Sequence, residues 1–541
     1  MLMKYNFDMP NDLHRDQFTP ADAPALTPAQ LVDLVGKLER DNVNLRRQLA
    51  WFQRQIFGQK SEKRHPDPEG VQGILGMGFD AIPDTPLPAK KTVVAAHERK
   101  AKPVGDGADE SNLFFDDKRV PVEVIAVPNP DMERLLPDQY EVIGEKVTHR
   151  LAQRPGSYVV LKYVRPLIKR KDTHALSCPP APVGVIDGSR ADVSFVVGMV
   201  IDKFDYHLPL YRQHRRLDDA GIRVSRPWLT QLMQSTVALL EPIYDAQLES
   251  IRASRVKAMD EVPIKAGRAS PGKMKQTYFW PIYGERDEIC FTHSPGRSGE
   301  HVRNMLGLSP PDGAVLLSDG YAVYASYAKQ VGLTHAQCWA HARREVFEAK
   351  DIEPAHAEKA LEHIGALYAA EEHIRQNDMK GAAKRAWRQA HAKPVAERFF
   401  KWVDKYFEGQ GFLPSSPFTK ALNYIRERRE GLAVYLDDPD VPIDTNHLER
   451  ALRVIPLGRK NWMFSWTEVG ARHIGIVQSL LVTCRLHDVD PYDYLVDVLQ
   501  RVGQHPASLV EQLTPRVWKT RFANNPLRSD LYQRSERPSG Q

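Results

Sequence analysis

Cysteine is scarce in this sequence: 541 residues contain only four, Cys178, Cys290, Cys338 and Cys484. No two of them form a C-x-x-C pair, so the sequence predicts neither a disulfide framework nor a cysteine zinc knuckle. We therefore expect reduced thiols and no zinc ion.

Long apolar runs are also missing. The longest, residues 193–201, is interrupted by Ser194 and Gly198, and a membrane helix needs about 18 or more apolar residues. Residues 1–22 contain acids and prolines where a secretory signal has a basic flank and an apolar stretch. We expect a cytoplasmic protein without a membrane partner.

The net charge is small, +5 from 74 basic and 69 acidic residues, which is too little to indicate a polyanionic partner. The bases are clustered, however, at residues 212–226, 343–344, 426–429 and 450–460. Such clusters are typical of phosphate-binding strips, although each can also be a solvated helix face.

The length predicts roughly three or four domains, and the first is an N-terminal segment, residues 1–60. Thr27-Pro28 is typical of a helix start. The following apolar positions alternate spacings of four and three, and one Asn interrupts them, as in a parallel coiled-coil dimer. The predicted dimerisation seam contains Leu31, Val35, Leu38, Asn42, Leu45 and Leu49. The alternative is a helix that packs on its own chain.

A predicted linker and a predicted β-rich module follow. Residues 61–112 lose periodicity and gather Pro, Gly, Lys and Asp, which predicts a flexible linker. Residues 113–190 alternate short β-prone runs with Pro-Gly turns, which predicts a small β-rich module.

Residues 191–254 are predicted to be helical, with a helix-turn-helix pattern around Gly221. Ser225 can cap the second helix, which has Pro227 near its start. Two short helices around any glycine give a similar pattern. If the unit binds DNA, the residues near the N-terminus of its second helix that contact DNA are Arg223, Arg226 and Gln231.

Residues 255–344 predict three strands, a helix and a fourth strand. This order is expected of a ribonuclease-H-like core, in which the first and fourth strands are neighbours. Asp260 lies in the first run, and Asp319 ends the fourth strand. Alone, each is more typical of a turn or a helix cap. Together, two facing carboxylates indicate a cation between them, magnesium or manganese. Glu261 and Asp312 are nearby rivals.

A charged helical insertion, residues 345–436, precedes the second part of the core, residues 437–505, and a basic C-terminal tail, residues 506–541. Asn446, Glu449, Arg450 and Arg453 fall on one helix face by three-and-four spacing. Glu449 is the third candidate acid, although the spacing alone favours an ordinary ion pair with Arg453. Arg459 and Lys460 add donors for phosphates.

These motifs resemble the large transposases of the bacterial insertion sequence sixty-six family, members of the DDE group with a ribonuclease-H-like core. The resemblance extends from Leu31 to Trp462. Its motifs include Asp260-Glu261, Ser318-Asp319-Gly320-Tyr321, Cys338-Trp339-Ala340-His341-Ala342-Arg343-Arg344, Glu449-Arg450 and Gly458-Arg459-Lys460-Asn461-Trp462.

The resemblance implies that Asp260, Asp319 and Glu449 are the catalytic acids and bind two Mg²⁺ or Mn²⁺ ions. It also implies double-stranded DNA as substrate, cleavage that frees a 3′-hydroxyl, strand transfer by that hydroxyl, and accessory proteins from the same element. Two positions depart from the family: only Cys178 remains of its cysteine zinc module, and Thr445 replaces an Asn.

Several residues have two interpretations. Cys338 and His341 have a metal-ligand spacing, but a packing Cys and a phosphate-facing His are favoured. Arg343 and Arg344 are predicted to bind the DNA backbone, and Trp339 and Trp462 are either core residues or platforms for bases. For the whole chain, the alternatives to a transposase are a catalytically silent dimeric DNA-binding protein and a sugar hydrolase with paired carboxylates.

Overall fold

The computed structural model describes residues 113–154, 156–270, 272–408, 413–463 and 465–535. This part of the chain is a mixed α/β structure with two sheets. None of its helices combines the length and the apolar character needed to cross a bilayer. The predicted dimerisation seam, Leu31, Val35, Leu38, Asn42, Leu45 and Leu49, and the predicted linker lie outside the described residues.

The first sheet is small and contains β1 (Val122–Ala126), β2 (Tyr140–Arg154), β3 (Ser157–Arg170) and β4 (Leu176–Ser177), with helix α1 (Pro130–Arg134) after β1. β2 and β3 form a long antiparallel hairpin, and β1 runs parallel to β3. Three consecutive residues of β3, Val159 to Leu161, are buried because its two faces enter different cores: Val160 joins one, and Val159 and Leu161 join the other.

Three helices follow: α2 (Val193–Phe204), α3 (Leu210–Asp219) and α4 (Arg226–Arg252). Gly221 adopts φ +87°, a conformation that favours glycine, between α3 and α4. The Ser225 hydroxyl caps α4 by accepting from the Trp228 amide. The predicted helix, turn and capped second helix are therefore present, and the buried side of α4 packs on the second sheet.

The second sheet contains β5 (Val256–Met259), β6 (Val262–Ser270), β7 (Lys273–Gly284), β8 (Glu288–Ser294), β9 (Val315–Ser318) and β10 (Thr334–Gln337). β7 pairs with β5 and β6 along one edge and with β8 along the other, always antiparallel. β9 pairs in parallel with β5 and with β10. β5 and β6 thus act as one strand interrupted at residues 260–261, and the order is β10, β9, β5/β6, β7, β8.

Both faces of this sheet are buried. Side chains of neighbouring residues in a strand point to opposite faces, so they enter different hydrophobic cores. Leu316 joins the core that contains α4, whereas Val315 and Leu317 join the core of the helical insertion. Helices α5 (Gly299–Leu306), α6 (Ala322–Val331) and α7 (Trp339–Glu348) connect or follow the later strands.

The insertion is helical, as its sequence predicts. It contains α8 (Pro354–Gln376), α9 (Gly381–Trp387), a π-helical turn (Arg388–Ala392), α10 (Lys393–Glu408), α11 (Pro417–Glu427) and α12 (Arg429–Asp437). α8 and α11 pack on α7, and α12 packs on β10. The insertion therefore covers one face and one edge of the sheet.

The remaining helices are α13 (Asn446–Leu452), α14 (Val454–Trp462), α15 (Glu468–Leu486), α16 (Pro491–Arg501), a 3-10 helix (Ala507–Leu513), α17 (Pro515–Arg521) and α18 (Asp530–Ser535). α15 packs on β8 and α4. The segment interpreted from sequence as a basic tail includes Trp518 and Leu531, both of which are buried.

A buried cation holds the insertion together. Arg388 in the π-helical turn is 0% exposed. Its guanidinium pairs with Glu371 at 2.8 Å and donates to the carbonyls of Tyr435, Asp438 and Val441. It thus joins α8, the π-helical turn and the loop that leads to α13.

We expect Arg388→Met to lower the free energy of unfolding by about 3–5 kcal/mol, because it leaves Glu371 and three carbonyls without their donor. Urea denaturation monitored by circular dichroism measures this change. Arg375→Met is the matched control, since Arg375 is exposed and pairs with Glu372 at the surface, and its effect should stay within about 0.5 kcal/mol. Equal effects of the two substitutions would contradict the assigned role of Arg388.

Candidate active site

Two predicted acids lie at neighbouring strand ends. Asp260 directly follows β5 and Asp319 directly follows β9. The parallel register pairs Ala258 with Leu317, so two residues further along, Asp260 and Asp319 fall opposite each other. Neighbouring strands are about 4.8 Å apart, and the sheet therefore brings the two acids together at one edge.

Asp260 lies at the interruption between β5 and β6. Its amide donates to the Pro281 carbonyl at 3.3 Å, and its carboxylate accepts from the Glu261 amide at 2.7 Å. Burial raises the pKa of Asp260 to about 7, and the charges of Asp319, Glu261 and Glu449 add to this rise. Near neutral pH the carboxyl is therefore readily protonated unless a cation neutralises the group.

The loop after Asp319 is tightly enclosed. The Asp319 carboxylate accepts from the Tyr321 amide at 3.0 Å. Arg428, at the end of α11 in the insertion, donates to the Gly320 carbonyl at 3.1 Å and stacks on Tyr424. A Cβ at Gly320 would lie 2.6 Å from both Arg428 and Tyr424. Only glycine fits this contact between the insertion and the Asp319 loop.

The rival carboxylates have other partners. Glu261 accepts from the Tyr324 hydroxyl at 2.7 Å and is ion-paired with Arg297, and its side chain is buried. Asp312 is exposed in the turn before β9. Glu261 therefore serves a buried hydrogen-bond network beside Asp260, and Asp312 lies in a surface turn.

Glu449 is carried by α13, the helix predicted for it. One side of α13 is buried and contains Leu448, Ala451 and Leu452. The ring of His447 packs on the ring of Tyr283 in β7, with 4.7 Å between the ring centroids. Glu449 then faces Arg344 of α7, with 3.7 Å between guanidinium and carboxylate. Among the described ion pairs the partner of Glu449 is thus Arg344, whereas the sequence alternative was Arg453.

A shared junction sets the start of α7 and of α13. The Cys338 sulfur lies 3.2 Å from the Thr445 hydroxyl and accepts from the Thr445 amide, and the Trp339 amide donates to the Ile443 carbonyl. Asp444 accepts from the Tyr368 hydroxyl of α8 at 2.9 Å and from the Asn446 amide. Cys338 is thus a packing residue.

The acids border a polar groove of about 370 Å³. It is lined by Asp260, His341, Arg344, Asn446, Glu449, Arg450, Leu452, Arg453 and Pro456. Asp319 lies beside it and contributes to the charge at Asp260. Two buried atoms at the groove, Glu449 Oε1 and His341 Nδ1, have no hydrogen-bond partner.

The donor set fits a hard divalent cation, because it consists of carboxylate oxygens and one of them is buried without a partner. Within the described ranges, however, no three His, Cys, Asp or Glu side chains converge closely enough to hold an ion together. The described acids alone therefore do not form a complete metal site.

The predicted DNA-binding residues fall into two groups. His341, Arg344, Arg450 and Arg453 line the groove. Arg343 and Lys460 are exposed nearby, but Arg459 donates to the Pro263 carbonyl at 2.7 Å and so also supports β6. The other group, Arg223, Arg226 and Gln231, is exposed around the start of α4, where Arg226 stacks on Tyr211.

Of the predicted aromatic platforms, Trp339 is fully buried and Trp462 is partly buried in the core of the insertion. Trp339 is therefore a core residue. Sequence patterns missed Tyr368, Tyr424 and Arg428, which support the acids from the insertion. No local signal identifies them, because their partners are 76 to 108 residues away in the chain.

A larger cavity, of about 720 Å³, lies elsewhere, between β2, β3 and α2. The carboxylate among its lining residues, Asp202, is ion-paired with Arg216. The three acids that the sequence identifies as candidate site residues lie in or beside the smaller groove, not in this cavity.

Comparison with known proteins identifies a family for this chain. The model of the "Transposase IS66 family" matches residues 188–473, which contain both strand ends and the Glu449 helix. The "IS66 C-terminal element" matches residues 479–516, and "Transposase C of IS166 homeodomain" matches residues 44–107, outside the described part.

Relatives occur in Sinorhizobium fredii. The uncharacterized protein y4hP is 31% identical over 70% of this chain and 71% of its own length. The uncharacterized protein y4jD is 27% identical over 91% of this chain and 97% of its own length. The family model covers more than half of the 541 residues, and the chain therefore belongs to the IS66 transposase family.

Proposed function

We propose that this chain is an active DDE transposase that binds the ends of an insertion sequence, cleaves DNA by hydrolysis and joins the freed end to target DNA. In this proposal β5 to β10 form a ribonuclease-H-like core, and Asp260, Asp319 and Glu449 are its catalytic acids. Family membership supports transposase function in general, and the arrangement of the acids supports the specific reaction.

One observation carries the proposal: two acids end adjacent parallel strands, and a third faces them with a buried oxygen that lacks a partner. Burying like charges side by side is costly in a protein that uses them only for structure. Perturbed carboxylates in a groove are instead typical of catalytic sites.

Asp260, Asp319 and Glu449 would hold two Mg²⁺ or Mn²⁺ ions, and the DNA phosphate would complete the ligand set. When bound, such ions activate the attacking oxygen and stabilise the leaving oxygen of a phosphodiester. This division of ligands is consistent with acids that do not converge in the protein alone.

The chain itself positions the DNA. Arg344, Arg450 and Arg453 present guanidinium groups in the groove, which suit phosphate oxygens. Arg344 also neutralises part of the charge of Glu449. The unpartnered Nδ1 of His341 is available to hydrogen-bond a phosphate or a water molecule.

Two steps would use the same groove. In the first, water attacks the phosphorus at the end of the element, the P–O3′ bond breaks, and a 3′-hydroxyl and a 5′-phosphate result. In the second, this hydroxyl attacks a phosphodiester of target DNA and displaces the 3′-oxygen of the target strand. Only phosphodiester chemistry is required, and no redox partner takes part.

The remaining predictions from the sequence enter the same proposal. The α3–α4 unit would contact DNA through Arg223, Arg226 and Gln231, which are exposed. The seam of residues 31–49 would form a homodimer, and accessory proteins of the element would assist. The domain boundaries given from the sequence stay part of this proposal.

We expect Asp260→Asn, Asp319→Asn and Glu449→Gln each to reduce divalent-ion-dependent nicking of a terminal inverted repeat by more than about 100-fold, because each removes a ligand charge. Gel mobility shifts should show that the variants still bind the DNA. The control is Asp312→Asn in the exposed turn, which should cut like the wild type.

Full cleavage by all three variants would reject the assignment. A wild-type chain that shifts the repeat in a gel but never cuts it, with Mg²⁺ or Mn²⁺ present, would instead support the silent DNA-binding protein. Cutting that is insensitive to EDTA would reject the role of the cations.

The raised pKa of Asp260 also predicts that the stability of the folded chain depends on pH. Its carboxyl has a pKa of about 7 in the folded chain against 3.8 for the ordinary group, so the folded state binds more protons between these values and loses stability as pH rises through them. We expect Asp260→Asn to be more stable than the wild type without divalent ions, by a margin that is larger at pH 8 than at pH 5. Urea denaturation at both pH values measures it, and a margin that shrinks with pH would contradict it.

Gly320 tests the contact between the insertion and the Asp319 loop. Gly320→Ala should destabilise the fold by about 1–3 kcal/mol through overpacking against Arg428 and Tyr424, and it should slow cleavage because the loop moves. Thermal unfolding and the nicking assay measure both effects. Gly365→Ala, in α8 with open space around its Cβ, is the control and should be neutral or stabilising.

A further inference from the structure

An exposed aromatic and basic surface lies near the end of β6 that is opposite to Asp260. We define the Trp466 surface as Arg268, Lys275, Trp466 and Val469, which line an open groove of about 540 Å³. Trp466 is 62% exposed, and Val469 is also mostly exposed. Large exposed apolar side chains grouped in one place are typical of interaction sites.

The backbone holds Trp466 in a fixed position. The Ser465 amide donates to the Lys265 carbonyl at 2.9 Å, and the Gly267 amide donates to the Ser465 carbonyl at 3.1 Å. Residue 465 thus extends the sheet beside β6. The Thr467 hydroxyl then caps α15 by accepting from the Gly470 amide. The ring is therefore presented by rigid elements on both sides.

Basic groups surround the ring. The Arg268 guanidinium lies over it, with 5.1 Å between its central carbon and the ring centroid. Lys275 also lines the groove and pairs with Glu468 at 2.8 Å. The charged residues that line the groove are two bases, Arg268 and Lys275, and one acid, Glu468, so the surface has a positive charge that favours an anionic partner.

Met463, which follows α14, has a strained backbone and an exposed apolar side chain. Met463 has φ +58°, which is unfavourable for a residue with a side chain, and it is mostly exposed. Leu457, six residues earlier in α14, is also more than half exposed. Strained backbone that displays apolar groups to solvent is found mainly at functional sites.

The Trp466 surface is connected to the acids by one strand. Asp260 precedes β6, and Arg268 lies near its other end. Eight residues of strand span at most about 26 Å, and a DNA duplex covers this distance in roughly eight base pairs. DNA held in the acid groove can therefore reach Trp466.

We propose that the Trp466 surface binds an unpaired DNA base, which stacks on Trp466 while Arg268 and Lys275 contact the adjoining phosphates. This inference rests on the proposed function, since it assigns a second contact to the same DNA. A duplex offers no exposed base face along its length, so the surface selects DNA that is single-stranded or opened at this distance from the cleavage point.

The charge distinguishes DNA from a protein partner. A protein-binding patch would show an apolar centre with few charges, whereas here a guanidinium covers the aromatic ring and an ammonium lines the groove. Alternating aromatic and basic groups are the arrangement that binds single strands.

The test compares two DNA probes on the full chain. One is a blunt duplex of the terminal repeat, and the other is the same duplex with an unpaired extension of about ten nucleotides. Trp466→Ala should weaken binding of the extended probe about tenfold, the effect of losing one stacked base, and should change binding of the blunt duplex less than twofold. Trp466→Phe should retain most of the affinity.

Two controls accompany these variants. Leu136→Ala removes a similarly exposed apolar side chain in the small-sheet region and should affect neither probe. Thermal unfolding of Trp466→Ala should match that of the wild type, because the ring is mostly exposed. Arg268→Gln should weaken binding of the extended probe. It should also reduce the slope of log affinity against log salt concentration by about one, as expected for the loss of one phosphate contact.

The proposal is overturned if Trp466→Ala binds the extended probe as tightly as the wild type, or if the wild type does not distinguish the two probes. The proposal is also overturned if Trp466→Ala changes the mass of the oligomer but not the binding of either probe. That result would make the surface a protein interface. In each case a wild type that still nicks the repeat, with Asp260→Asn inactive, leaves the proposed function intact.

Discussion

The parallel pairing of β5 with β9 is the constraint on which the described structure depends. It places two carboxylates at one sheet edge, where their mutual repulsion is tolerable only if one is protonated or a cation is present. It also puts both strands in the middle of a sheet whose two faces are apolar. Helices must therefore cover each face, and α4 with α15 and the helical insertion do so.

Much of this arrangement could be predicted from the sequence because the signals are local. The run of residues 314–317 predicts a buried strand, Ser225 with Pro227 predicts a helix start, and both are present in the structure. The adjacency of the first and fourth strands was predicted because the element order is the one expected of a ribonuclease-H-like core. The first predicted strand corresponds to β5 and β6 together, but its interruption at residues 260–261, where the Asp260 amide donates to the Pro281 carbonyl, was not predicted.

The candidate site was predictable in its acids but not in what supports them. Asp260, Asp319 and Glu449 stand out through their position after apolar runs or on a helix with regular spacing. Their neighbours depend on long-range packing. Arg344 faces Glu449 because α7 and α13 begin at one junction. The exposure of Trp466 could not be predicted, because nothing in the local sequence distinguishes an exposed tryptophan from a buried one. Trp339, for example, is entirely buried.

The hydroxyl of Tyr368 gives the insertion a direct mechanical connection to the third acid. It reaches from α8 to Asp444, and Asp444 in turn orients the first turn of the helix that carries Glu449. A tilt of α8 therefore shifts one carboxylate relative to the other two, which are fixed by the sheet. The position of Glu449 therefore depends on how the outer helices of the insertion pack, although none of them lines the acid groove.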